Sequence, residues 1–145
     1  MTEVAFHFNA PDKIGYACRF ARKASRHRAR LVLLVAEEQI ELVSARLWSL
    51  SATDFLAHAR QADGAQVLTL SPIALLSDAG HSPHQQVLLN LGAEVPAGFE
   101  RFAKVIEVVS SVDELDRAQA RARWKFYAGR GYAIVRHDLH LKEGA

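Results

Sequence analysis

The chain has 145 residues, of which half are hydrophobic, and it carries 18 Lys and Arg against 16 Asp and Glu. This length suffices for one domain with its own core, and a net charge of +2 makes affinity for nucleic acid or acidic partners depend on local clusters. A single cysteine excludes an internal disulfide. No signal peptide or membrane-spanning run is recognisable, so we expect a cytoplasmic single domain over residues 1–145 without membrane contact.

Apolar runs of strand length alternate with stretches of helix length. In chain order we predict a strand over 4–8, a helix over 12–29, a buried strand over 31–35, a helix over 36–47, and strands over 87–91 and 104–109. This alternation is typical of a parallel sheet covered on both faces. Cys18 lies within the first helix, where we interpret it as a buried, inert thiol.

Residues 112–136 are predicted to form a helix, a glycine turn and a strand. Acidic residues open the helix and basic residues dominate its later turns, as the helix dipole favours. Gly129 and Gly131 then end it, and Tyr-Ala-Ile-Val provides the strand. We expect its core-facing stripe to consist of Leu115, Ala118, Ala122 and Phe126.

A basic face runs along this last helix. Arg117, Arg121 and Lys125 follow at four-residue steps, and Trp124 lies one step round the cylinder. Two interpretations are open. Charged faces are usually solvated, in which case Trp124 merely covers the end of the core. Alternatively, the face binds an anion, and it would suit a short acidic peptide whose last apolar side chain lies beside Trp124.

The first helix carries a second basic surface, which consists of Arg19, Arg22, Lys23, Arg26 and Arg30. Solvation is the simpler interpretation, and contact with nucleic acid is the alternative.

Two large aromatic residues, Trp48 and Phe55, stand in a stretch where the helical pattern ends. They either fold back over the core or form an exposed patch that binds a partner protein, since aromatic residues are enriched at interfaces.

Signatures of catalysis are missing from the sequence. It contains no GxxxxGK[ST], GxGxxG, GxSxG or HExxH motif and no cysteine pair. The histidine pairs His81 with His84 and His137 with His140 lack identifiable further ligands. We therefore predict a protein without a cofactor, a metal or a catalytic function of its own.

Three segments carry a resemblance to a known family: LWSLSATDFLAHA at 47–59, LLNLGAEVPAGFERFAKVIEVV at 88–109 and RARWKFYAGRGYAIVRHDL at 121–139. In this order and spacing the chain resembles the chi subunits of the bacterial DNA polymerase III holoenzyme over essentially its whole length. The resemblance implies a single Rossmann-like, three-layer α/β domain that has a mostly parallel sheet, helices on both faces and no nucleotide-binding loop. It also implies a non-catalytic accessory protein of the clamp loader in DNA replication.

The resemblance further implies two partner surfaces. The acidic C-terminal tail of single-stranded DNA-binding protein would bind Arg117, Arg121, Trp124 and Lys125, with Val109 as an apolar floor. The psi subunit or another clamp-loader component would bind Trp48 and Phe55. Association with DNA would then be indirect. The alternative is a module that binds nucleic acid directly through the basic face of the first helix.

Overall fold

The computed structural model describes residues 2–49 and 56–140, apart from the side chain of His81. The strands are β1 (Glu3–Ala10), β2 (Leu31–Leu34), β3 (Ala59–Arg60), β4 (Ile73–Leu76), β5 (Val87–Asn90), β6 (Lys104–Ser110) and β7 (Ile134–Asp138). The helices are α1 (Lys13–Arg26), α2 (Ile40–Trp48), α3 (Ala65–Leu70) and α4 (Glu114–Gly129).

All strand pairs of the sheet are parallel, in the order β3-β4-β2-β5-β6-β1-β7. The predicted α/β class is confirmed, because helices connect strands that run in one direction and cover both faces of the sheet. Within the described residues, no helix is long and apolar enough to span a membrane.

Side chains that alternate along each strand build two cores, one on each face of the sheet. Helices α1 and α2 close the first core with residues such as Ala17 and Leu47, and α4 closes the second with Ala120 and Tyr127. Cys18 lies in the first core, where burial raises the pKa of its thiol to about 11. The prediction of a buried cysteine is confirmed, and its pKa keeps the thiol protonated at neutral pH.

The predicted core-facing stripe of α4 is wrong at three of its four positions. Leu115 is 68% exposed, Ala118 and Ala122 are exposed, and only Phe126 packs against the core. The residues that α4 buries are instead Asp116, Ala120, Arg123 and Tyr127. The helix is thus rotated about its axis so that two charged residues face inward, which is favourable only because both have partners there.

Asp116 fixes the start of α4 against the end of β6 and the start of α1. Its carboxylate accepts hydrogen bonds from Lys13 Nζ at 2.6 Å and from the Ser110 backbone amide at 2.8 Å. The Asp113 side chain caps the helix by accepting from the Asp116 amide. These contacts place the first half of α4 beside the carboxyl end of β6.

Arg123 and Glu107 form a fully buried ion pair in the second core. Arg123 Nε donates to Glu107 Oε1 at 2.9 Å, and Tyr127 and Asn90 also donate to this carboxylate, at 2.7 and 2.9 Å. Burial raises the pKa of Glu107, whereas the Arg123 guanidinium and the other donors lower it. Burial raises the pKa of Tyr127 above its ordinary range, and the Glu107 charge and the hydrogen bond to Glu107 raise it further.

Candidate functional site

A groove of about 330 Å³, which we call the cationic groove, lies between the first half of α4 and the carboxyl ends of β1, β6 and β7. Its apolar lining consists of Phe6, Phe8, Val109, Ala120 and Trp124. Its polar lining consists of Asn9, Ser110, Arg117, Arg121 and Arg136. The groove therefore combines an apolar floor with three guanidinium groups.

The floor is built by strand periodicity and one aromatic contact. Phe6 and Phe8 are two residues apart in β1 and so face the same side of the sheet. Trp124 contacts Phe6 edge to face, with ring centroids 5.1 Å apart. The indole is half-buried, so it supports the core with one part of its ring and lines the groove with another.

Arg117 and Arg121 keep their guanidinium groups accessible on the α4 side of the cationic groove. Arg117 approaches Glu114 at only 3.7 Å, and that carboxylate is 82% exposed, so the pair is a weak surface contact. Among the described residues, Arg121 has no ion pair. Both side chains can therefore donate to a carboxylate that comes from outside, unlike Arg123, which is turned into the core.

Arg136 supplies the opposite wall, and the sequence analysis missed it. β7 pairs with β1 in a register that sets Phe6 beside Arg136. The guanidinium lies over the Phe8 ring at 5.4 Å from its centroid, a cation–π contact that holds it at the groove. The two strands are about 130 residues apart in the sequence, so only their pairing shows that Arg136 reaches the groove. Alternation within β7 alone indicates no more than that Ile134 and Arg136 share a face.

Asn9 shapes the end of the same groove. It adopts a left-handed backbone with φ of 66°, and the register between β1 and β6 shifts between His7 and Ala10. Asparagine tolerates this conformation better than most residues, and its side chain donates to Asp138 Oδ1 at 2.9 Å. The register shift interrupts the pairing of β1 with β6 beside the groove, and the pairing resumes between Ala10 and Ser110.

Four of the five residues predicted for the peptide site line the cationic groove: Val109, Arg117, Arg121 and Trp124. Lys125 is exposed on α4 but does not belong to the lining. Its ammonium group is in a position to add positive potential beside the groove, without the direct role that Arg121 can have.

The second predicted surface is described in part. Trp48, at the end of α2, is 48% exposed, and its ring centroid lies 4.5 Å from that of His58. His58 is held in turn by Ser44 Oγ and by the Leu56 carbonyl, each at 2.9 Å. Trp48 thus neither covers the core completely nor projects freely. Phe55 lies outside the described residues.

Metal ligands do not converge anywhere in residues 2–49 and 56–140, where no group of three His, Cys, Asp or Glu could hold an ion. His84 is buried against the Ser71 carbonyl at 2.5 Å, and His137 packs on His7 with ring centroids 4.5 Å apart. His140 is exposed.

A family model described as DNA polymerase III chi subunit, HolC, matches residues 1–135. The match contains nearly the whole chain and every residue that lines the cationic groove except Arg136. A search of curated proteins gave no match.

Proposed function

The chain belongs to the family of DNA polymerase III chi subunits and is an accessory subunit of that polymerase; we propose that it acts by binding the acidic C-terminal tail of single-stranded DNA-binding protein. The observation that carries this proposal is the cationic groove, in which arginines on two walls flank an apolar floor. Among the described residues, the groove lining combines arginines with apolar and amide side chains, which suits the binding of an anion.

The chemistry of the groove matches a chain terminus better than an internal loop. A terminal carboxylate can accept two parallel hydrogen bonds from a guanidinium, and further acidic side chains can reach the remaining arginines. The last side chain, if apolar, would replace water over Trp124 and Val109. An acidic tail that ends in a large apolar residue would therefore contact the apolar floor with its last side chain and pair with the arginines of both walls through its carboxylates.

Binding is expected to be of moderate strength and sensitive to salt. Exposed ion pairs contribute roughly 0.2 to 1 kcal/mol each, and a buried aromatic anchor about 2 kcal/mol or more. After the cost of immobilising the peptide, these contributions are consistent with a micromolar dissociation constant. The resemblance implies a tailed partner that is an oligomer. Several tails on one partner would then raise the effective concentration of tails at one polymerase.

Calorimetry with a synthetic acidic peptide that ends in a free carboxylate and an aromatic residue tests this proposal. We expect saturable one-to-one binding that weakens severalfold between low and physiological salt, since the ion pairs lie at the surface. The matched control is the same peptide with an amidated C-terminus, which should bind markedly more weakly. Equal affinity for the two peptides would contradict recognition of a chain terminus.

We also propose that the Trp48 surface binds the psi subunit or another component of the clamp loader. β3 and β7 are the two edges of the sheet, so with strands spaced by about 4.8 Å they lie roughly 29 Å apart. Trp48 lines a pocket together with His58 and Arg60 of β3, whereas the cationic groove lies beside β7. Two partners could therefore bind at once, as a bridge between the tailed protein and the polymerase requires.

Replacing Trp48 by alanine should weaken binding of that second partner at least tenfold, because exposed tryptophans at interfaces commonly contribute 2 kcal/mol or more. The peptide affinity of the cationic groove should not change. Leu42→Ala is the matched control, since Leu42 lies on the same helix and is also 48% exposed. Co-purification and sedimentation with the psi subunit measure both variants, and equal binding by wild type and Trp48→Ala would rule out this surface.

A further inference from the structure

Positive charge is concentrated in α1 and the turn that follows it. Residues 13–30 contain seven of the chain's 18 Lys and Arg and none of its 16 Asp and Glu. Lys13 is paired with Asp116, but the excess of basic residues in this segment favours a local positive potential on a chain that is nearly neutral as a whole. Such a potential attracts polyanions to one side of the molecule.

A cleft of about 490 Å³, which we call the α1 cleft, lies on the same side. One wall is a single stripe of α1, whose members follow at helical spacing: Tyr16, Arg19, Phe20, Lys23 and His27. The other wall and the end of the cleft are formed by His7, Lys104 and His137. The cleft is therefore bounded by cations that come from different elements of the fold.

Aromatic rings form the interior of the α1 cleft. His7 Nδ1 and the Tyr16 hydroxyl are hydrogen-bonded at 2.6 Å, and the His7 ring lies 4.5 Å from His137 and 6.1 Å from Phe20. Tyr16 and Phe20 are only partly buried, so their rings contribute to the cleft as well as to the core. Contacting rings beneath cationic side chains are the combination on which unpaired bases stack.

We propose that the α1 cleft binds single-stranded nucleic acid, with phosphates at Lys23 and Lys104 and a base against Tyr16 and Phe20. The stripe from Tyr16 to His27 extends for about 16 Å of helix, which suits a ligand with repeated negative charges better than a single carboxylate. The Glu3 carboxylate lies 3.9 Å from Lys104 and the Asp12 carboxylate interacts with Arg19, and both limit the positive potential of the cleft.

The α1 cleft and the cationic groove are on opposite faces of the sheet. Phe6 and Phe8 line the groove while the intervening His7 lines the cleft, and Arg136 and His137 divide in the same way. Binding of nucleic acid at one face is therefore sterically compatible with binding of an acidic tail at the other. This inference does not depend on the proposed peptide function.

Fluorescence anisotropy of a labelled oligothymidylate with the full chain tests the proposal. We expect binding at low salt that weakens steeply as salt rises, because phosphate contacts release counterions. The double variant Lys23→Glu/Lys104→Glu should lose about tenfold or more in affinity. Phe20→Leu, which keeps an apolar side chain but removes the ring, should lose severalfold through stacking.

The matched control is Arg101→Glu/Arg130→Glu, which makes the same change in net charge at exposed residues outside the cleft. It should bind the oligonucleotide nearly as wild type does. Equal losses in the two double variants, or no binding by the wild type at low salt, would overturn the proposal. So would equal affinity for polyaspartate, which would identify a site for acidic peptides. A cooperative urea denaturation like that of the wild type shows that the cleft variants are folded.

Discussion

Replacement of Arg121 by alanine is expected to weaken binding of the acidic tail peptide about tenfold and to leave the free energy of unfolding nearly unchanged. We expect Arg121 to donate two parallel hydrogen bonds to the terminal carboxylate, which contributes roughly 1.5 kcal/mol and so more than a single exposed ion pair; 1.4 kcal/mol corresponds to a factor of ten in affinity. Stability should change by less than about 0.5 kcal/mol, because the exposed Arg121 leaves no internal partner unpaired. Calorimetry and urea denaturation measure the two quantities.

Two further variants separate direct contact from general positive charge. Lys125→Ala removes a charge from the same helix outside the groove lining, and we expect a loss of affinity of about twofold. Arg130→Ala removes a charge at the end of that helix, where the guanidinium lies over Phe126 at 4.6 Å, and should have little effect on affinity. If all three variants lose affinity equally, overall charge and not the groove controls binding.

Arg136 adds a test of whether both walls of the cationic groove hold the peptide. Arg136→Ala should weaken binding severalfold, although this residue lies on a strand and not on the basic helix face. The losses from Arg121→Ala and Arg136→Ala should multiply if each arginine meets a different carboxylate, as expected for independent contacts. A double variant no weaker than Arg121→Ala alone would show that the β7 wall is not part of the site.

The sequence was sufficient to predict most elements, because their signals are local. The charges at its two ends and the glycines after it predicted α4. The helix ends at Gly129, and Gly131 adopts a positive φ of 85° in the turn that follows. Four-residue spacing also placed Arg117 and Arg121 on one face, and both line the groove. What these predictions share is that each depends on residues within a few turns of one another.

The errors concern partners that are distant in the sequence. The buried side of α4 was assigned to its apolar residues, yet Asp116 is paired with Lys13 and Arg123 with Glu107. A pattern of apolar spacing cannot identify a charged residue as internal, because burial of a charge depends on a partner that another element supplies. Arg136 was missed for the same reason, since its place in the groove follows from the pairing of β7 with β1.

Loss of the buried ion pair between Arg123 and Glu107 is expected to have the largest effect on stability. Arg123→Ala should lower the free energy of unfolding by about 3 to 5 kcal/mol, because it leaves the Glu107 carboxylate buried without its cation. Arg121→Ala, two residues away on the exposed face, is the matched control and should have little effect. Urea denaturation compares the two variants with the wild type.

The pH dependence of the same variant identifies the cause of the loss. Burial already raises the pKa of Glu107 above its ordinary value of 4.5, and removing Arg123 removes the strongest opposing influence. The folded state then keeps a proton that the unfolded chain releases. Stability should therefore fall as pH rises above about 4.5 and through the raised pKa, by at most about 1.4 kcal/mol per pH unit.

Glu107→Gln in the Arg123→Ala background separates the orphaned charge from lost packing. Glutamine cannot ionise, but its amide oxygen can still accept the hydrogen bond from Tyr127. We expect the double variant to regain part of the lost stability and to lose the additional fall with rising pH. If that fall persisted in the double variant, another group would be responsible, and the loss in Arg123→Ala would have to come from the cavity that replaces the guanidinium.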